Sequence, residues 1–191
     1  MIAGKYTGDL KEGVRDGNAK LEWSNGDYYE GEFRNGLRHG FGVMIEMKGK
    51  RKYEGNWSMS QRNGRGVETF PNGDIYNGEF ADDLFNGQGE LVTRGGRYKG
   101  SFKDGFRNGF GTMQFSKDNA RYEGNWLKGR FDGKGMYIWP DGRKYDGMWI
   151  NGERTGAGLM FFLNGEKYGS CSFLLFFFNN FTFVDSIFFW S

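Results

Sequence analysis

A tyrosine recurs along this chain of 191 residues at nearly constant spacing, at Tyr6, Tyr29, Tyr53, Tyr76, Tyr98, Tyr122, Tyr145 and Tyr168, 22 to 24 residues apart. Each return opens the same phrase: Tyr, any residue, Gly, any residue, then usually Phe or Trp. A period of that size means one small supersecondary unit stacked in a row, since one unit cannot bury its apolar side alone and does so against its neighbours. Such an array binds more often than it catalyses.

The second copy, Tyr29 to Glu46, shows how a unit is built. Period-two alternation places Tyr29, Gly31 and Phe33 on one side of a strand and Glu30 and Glu32 on the other. After a loop carrying Asn35-Gly36, a second run begins at Gly40-Phe41-Gly42. The matching positions in other copies, Leu21 and Trp23, Met113 and Phe115, Tyr137 and Trp139, Met160 and Phe162, also alternate. Each copy therefore reads as a β-hairpin. Between copies, Asn25-Gly26, Asn72-Gly73, Asp141-Gly142 and Asn164-Gly165 predict further tight hairpin turns with positive φ.

The composition of 34 Gly, 2 Pro and 19% aromatic residues makes sense in this frame. A Gly between two aromatics on one face leaves room for rings to lie over bare backbone, and the Gly-x-Gly of the second strand can bulge the ladder. Glycine in a strand costs roughly 0.5–1 kcal/mol relative to Ala, so ring packing between hairpins has to offset it. Cross-strand aromatic pairs contribute about 0.2–1 kcal/mol each beyond area burial.

Tyr-x-Gly-x-Phe/Trp followed by x-x-Gly-x-x-x-Gly-x-Gly, at a period near 23, resembles the MORN (membrane occupation and recognition nexus) repeat from Tyr6 to Tyr168. Departures are Leu10 for the aromatic and Ala19 for a Gly in the first copy, and the Gly-less loops at Ser58-Met59-Ser60-Gln61 and Asp82-Asp83-Leu84. The expected fold is all-β: an elongated, twisted, single-layer antiparallel sheet of consecutive hairpins. Seven repeats occupy residues 1–168, with an aborted eighth at Tyr168. The resemblance implies an aromatic-lined groove, here Tyr29, Phe33, Tyr53, Trp57, Tyr76, Phe80, Tyr98, Phe102, Tyr122, Trp126, Tyr145 and Trp149. An aromatic strip of that extent is too large to leave naked. It predicts a protein partner, a helix or an extended peptide laid along it.

Residues 169–191 break the rule, with eight Phe and one charge. Three readings stand: a membrane tail interrupted by Asn179, Asn180, Thr182 and Asp185, a capping strand over Phe173 to Phe178, or a truncated or misannotated C-terminus, the reading favoured here. Late apolar residues on the second face, Met136, Ile138, Leu159 and Phe161, and an exposed terminal strand mark the C-terminal repeats for a homodimer.

Catalytic chemistry is not written in the chain. His39 is the one histidine, with no nucleophile phased to it and no partner for a metal site. No phosphate-binding loop occurs, and Glu30, Glu54, Glu79, Glu123 and Asp146 read as a solvated face. The expectation is a protein that is not an enzyme, with no cofactor and no metal. A formal charge of +2, from 26 basic and 24 acidic residues spread along the array, argues against nucleic acid. Cys171 alone cannot form an internal disulfide, and Met1 to Lys5 lacks a secretory signal, so the expected setting is cytoplasmic.

One basic run, Lys48, Lys50, Arg51 and Lys52, offers a second reading: a peripheral module holding anionic phospholipid, where each cation is worth about 1 kcal/mol. By resemblance, repeats of this kind also precede phosphoinositide-kinase and SET-type methyltransferase domains, so a detached regulatory part of a larger enzyme is a third. Resemblance alone places the protein with cytoskeletal, ciliary or flagellar structures, or peripheral to a membrane.

Overall fold

The computed structural model describes residues 4–171 and 187–189. Every regular element among them is a β-strand, and the strands follow chain order in an antiparallel sheet of consecutive hairpins. No helix among the described residues is long and apolar enough to cross a membrane.

Two compact units divide the chain, Met1–Arg94 with Ser101–Gly105, and Gly95–Gly100 with Phe106–Ser191. The first holds β1 (Gly4–Lys11), β2 (Val14–Trp23), β3 (Tyr28–Arg34), β4 (Leu37–Glu46), β5 (Arg51–Ser58), β6 (Gln61–Thr69), β7 (Ile75–Ala81) and β8 (Leu84–Thr93). Strand β9 (Gly96–Lys103) is shared between the units. The second holds β10 (Phe106–Phe115), β11 (Arg121–Leu127), β12 (Arg130–Ile138), β13 (Lys144–Ile150), β14 (Glu153–Phe161), β15 (Lys167–Cys171) and β16 (Ile187–Phe189).

The hairpin of each repeat closes on a two-residue turn with both φ angles positive, such as Asn35 at 51° and Gly36 at 82°, the type I′ geometry that matches strand twist. The Gly-less copies keep it. Met59-Ser60 and Asp82-Asp83 hold the same left-handed angles, at a cost of roughly 1–2 kcal/mol per residue. Hydrogen bonds from the preceding repeat offset that cost. Arg38 Nη2 donates to the Ser60 carbonyl at 2.8 Å, while Arg62 Nη2 donates to the Asp83 carbonyl at 2.7 Å and Arg62 Nε to Asp83 Oδ1 at 2.9 Å.

The turns between repeats differ from the sequence reading. In Asn25-Gly26 only Gly26 has positive φ, and the Trp23 N–H donates to the Asp27 carbonyl at 2.9 Å across a wider loop. Asn72-Gly73, Asp141-Gly142 and Asn164-Gly165 behave likewise. The Asn25 side chain explains the choice, because its Oδ1 accepts the Asp27 N–H at 3.1 Å and stabilises a local Asx turn.

The ladder is interrupted in the hairpins β1–β2, β3–β4, β5–β6, β7–β8, β11–β12 and β13–β14. In β3–β4, Gly31 pairs with Gly42 and Phe33 with Arg38, so His39, Gly40 and Phe41 stand opposite Glu32 alone. The bulge lies on the second strand, at the Gly-x-Gly, as the spacing predicts. It recurs opposite Asn56 and Asn125. The break after Tyr168 is softer than the sequence reading implies, for β15 runs on to Cys171 and pairs Ser170 with Gly158. The membrane-tail and capping-strand readings of Phe173 to Phe178 lie outside the described residues.

Candidate functional site: a closed aromatic spine and a half-buried aromatic roof

The spine follows from the bulge. A bulge leaves one carbonyl without its ladder partner, and the repeat's own Tyr supplies the donor. Tyr29 Oη donates to the Glu32 carbonyl at 2.9 Å, and Tyr53, Tyr76 and Tyr122 do the same to Asn56, Glu79 and Asn125, each at 2.8 Å. To reach three residues along its own strand, the ring must lie flat over backbone with no side chain. The facing glycines provide that surface: a Cβ on Gly42 would fall on Tyr29 Oη, and a Cβ on Gly66 would lie 2.5 Å from Tyr53 Oη.

The Phe or Trp four residues on then meets two tyrosines edge to face. Trp57 lies 5.1 Å from Tyr53 and 5.4 Å from Tyr29, at interplanar angles of 88° and 86°. Trp126 lies 5.2 Å from Tyr98 and 5.3 Å from Tyr122. These contacts bury the side chains proposed from sequence as a groove: Tyr29, Phe33, Tyr53, Trp57, Tyr76, Phe80, Tyr98, Phe102, Tyr122, Trp126, Tyr145 and Trp149 are each at most 5% exposed. The twelve side chains lie together in the core of the sheet. Its indole N–H groups are used internally, Trp57 to the Gly42 carbonyl, Trp126 to Gly111 and Trp149 to Gly135, at 3.2, 3.2 and 2.9 Å.

Burial also pushes the spine phenols up, Tyr53 and Tyr98 to about 12 and Tyr29, Tyr76 and Tyr122 further, desolvation being the main cause in each. The native state therefore holds protons that the unfolded chain releases near pH 10. Their contribution to stability is complete below about pH 10 and is lost as pH rises through about 12. In an alkaline titration the spine tyrosines ionise together with loss of the sheet circular-dichroism signal. Ionisation of all ten tyrosines near pH 10 with the sheet intact would refute that coupling.

Nine residues after each Tyr sits a second periodic position that the sequence reading passed over: Arg15, Arg38, Arg62, Phe85, Arg107, Phe131 and Arg154. Its constant phase was the available signal. The arginines lie over the spine, Arg38 4.3 Å from the Trp57 centroid and Arg107 4.4 Å from Trp126, so their faces are cation–π contacts. In the fourth and sixth copies a Phe takes the place, stacked on Tyr76 and on Tyr122 at 3.7 Å with interplanar angles of 12° and 14°.

Phe131 opens a second layer in the second unit. Phe115 lies 6.5 Å from Phe131 and 6.1 Å from Tyr137, and Tyr137 lies 4.9 Å from Trp139. All four are half-buried. They form a roof above Tyr122, Trp126 and Trp149. Phe110, 57% exposed and paired with Asn125, projects from the opposite face.

One copy carries a charge at a position otherwise apolar. Glu68, where other repeats have Leu21, Met44 or Met113, is 1% exposed and is held by Arg51 Nη2 at 2.6 Å and Arg62 Nη1 at 2.6 Å. Arg51 also pairs with Glu46, and Lys52 Nζ with Glu54 Oε2 at 2.6 Å. Two of the four cations proposed for lipid are thus committed to ion pairs, while Lys48 and Lys50 sit in the exposed turn. His39 contributes its carbonyl, which accepts from Tyr29 Oη at 3.4 Å. Of the apolar residues marked for self-association, Leu159 is exposed and Met136, Ile138 and Phe161 are half-buried.

The family described as MORN repeat matches residues 6–28, 29–45, 53–75, 76–96, 98–119, 122–142 and 145–167. The chain belongs to the MORN-repeat family. No curated protein sequence matches it. Among solved structures the MORN array is similar to the TCP domain of SAS-4 (dCPAP) of Drosophila melanogaster, solved in complex with a proline-rich motif of Ana2 (dSTIL). Identity there is 14%, coverage 86% of this chain and 87% of that one, and the TM-score 0.49. It is also similar to the wild-type TCP10 domain of Danio rerio CPAP, with 13% identity, coverage of 82% and 74%, and a TM-score of 0.48. A likeness of that extent says nothing about what this MORN array binds.

Proposed function

We propose that this MORN array is a non-catalytic scaffold that holds a segment of another protein against the roof formed by Phe115, Phe131, Tyr137 and Trp139. The observation that carries this reading is the contrast between two aromatic layers. Spine rings are closed, with their polar tips satisfied inside the sheet, and so are unsuited to contact. Roof rings lie only half-buried, and of the four Trp139 carries the Arg143 and Arg154 guanidinium groups against its ring. Large rings held in fixed orientation lose little entropy on binding, which makes them efficient anchors. A cytoskeletal, ciliary or membrane-associated setting rests on the family resemblance alone.

Selection of a displayed peptide library against the intact chain tests the reading. A recovered peptide loses at least tenfold in affinity on Phe115→Glu or Trp139→Glu, because a carboxylate is then desolvated against apolar partner surface. It binds Phe110→Glu as it binds the parent. Its affinity changes little between about 0.1 M and 1 M salt, since burial and not exposed charge holds it. Binding that ignores the roof substitutions, that follows Phe110 or that collapses with salt would refute docking there, as would recovery of no binder.

A further inference from the structure

Resting on that docking reading, we infer that the occupant of the roof is an extended, proline-rich segment carrying an acidic residue, its backbone across Tyr137 and Trp139 and its carboxylate at Arg154. Hydrogen-bond and charge complementarity select this occupant. In the spine beneath, Tyr122 Oη and the Trp126 and Trp149 indoles all donate to backbone carbonyls. In the roof, neither Tyr137 Oη nor Trp139 Nε1 forms a hydrogen bond among the described residues, and no buried side-chain nitrogen or oxygen lacks a partner, so both tips face outward. Burial and the nearby Asp118 carboxylate raise the Tyr137 pKa.

Arg154 adds a cation. It is exposed and lies 5.6 Å above the Trp139 ring and 5.5 Å above Tyr145, and it forms no ion pair among the described residues. Arg143, stacked on Trp139 from 5.8 Å, is already paired with Asp141 at 2.7 Å. The site thus offers apolar faces, N–H and O–H donors and, at the Arg154 end away from the Asp118 carboxylate beside Tyr137, a positive charge without an ion pair, so its occupant has to bring acceptors. The middle of a helix cannot do so, since its carbonyls are consumed by its own N–H groups. A polyproline II segment leaves every carbonyl free and has few N–H groups to satisfy, while its pyrrolidine rings pack on aromatic faces. The ring-to-ring steps of 6.1 and 4.9 Å from Phe115 through Tyr137 to Trp139 suit one turn of such a segment, about 9 Å long.

The test uses two fluorescein-labelled synthetic peptides with the intact chain: one repeating Pro-Pro-Leu-Pro-Pro-Glu, the other with Ala for every Pro so that it forms a helix. The proline peptide binds and the helical one binds at least tenfold more weakly. Trp139→Phe, which keeps a ring and removes the N–H, weakens the proline peptide roughly five- to tenfold. Arg154→Gln weakens it against the Glu peptide but not against a Gln-substituted version. Equal or tighter binding of the helical peptide, or unchanged affinity in both variants, would overturn the assignment. If a library peptide without proline still depends on Phe115 and Trp139, docking stands and the proline-rich assignment alone falls. If neither synthetic peptide binds and the library yields nothing, both fall.

Discussion

Gly55→Ala is expected to destabilise the first unit by about 2–4 kcal/mol, overpacking costing about 1–3 and the loss of one tyrosine hydrogen bond about 1. A Cβ at Gly55 would lie 2.5 Å from Gly66 Cα, 2.6 Å from the Arg65 carbonyl oxygen and 2.6 Å from Tyr53 Oη. Two of those three atoms are backbone, which a rotamer change cannot move. The third is the hydroxyl that serves the Asn56 carbonyl at 2.8 Å, so lifting the ring opens the bulge as well. Gly73→Ala is the control: nothing lies within 4 Å of its added Cβ, and only its φ of 88° resists substitution, at roughly 1–2 kcal/mol. Denaturant unfolding of both variants decides the matter. Equal losses would show that the facing glycines serve turn-like conformation and not the seat of the tyrosine ring.

Trp126→Ala should cost the second unit about 3–5 kcal/mol, the usual range for emptying a buried aromatic site. Trp126 is 4% exposed, donates to the Gly111 carbonyl, and meets Tyr98, Tyr122 and Phe131 with Arg107 over its face. At about 2–4 °C per kcal/mol for a chain of this size, the melting temperature drops on the order of 10 °C. Trp139→Ala removes a ring that is only half-buried and should cost under about 1.5 kcal/mol. A melting temperature in Trp126→Ala within a few degrees of the parent would refute the closed spine. Truncating Trp126 or Trp149 reports on folding, and the roof substitutions are the ones that report on contact.

The two substitutions separate roles that look alike in sequence. Trp126 and Trp139 both belong to periodic aromatic positions, one four residues after a Tyr and the other seventeen. Alternation assigns both to one face. It cannot say which of them lies beneath the other, because depth depends on the bulge that lets Tyr122 lie along its strand to reach the Asn125 carbonyl and on Phe131 stacking above it at 3.7 Å.

Much is legible in the sequence alone. The Tyr period set the hairpin register, the Gly-x-Gly marked the bulge, and the strand alternation placed Tyr29, Gly31 and Phe33 together. These are local properties, decided by steric and hydrogen-bonding rules over a few residues, and they repeat, so each copy confirms the others. The loop length at the Asn-Gly turns between repeats is not legible in the dipeptide, because the same pair serves two loop lengths and the Asn25 side chain bonding to Asp27 selects the longer one.

The closing of the spine, the ion pairs of Arg51 and Lys52, the buried Glu68 and the open donors of Tyr137 and Trp139 belong to tertiary structure. Each depends on which side chains meet across strands whose residues lie far apart along the chain, and on how much water is left between them. The chain alone determined a row of hairpins with one aromatic side. Only packing decided that the periodic rings hold that row together, while a few additional rings, where Phe131 and Tyr137 replace the usual Arg and Met, remain to meet a partner.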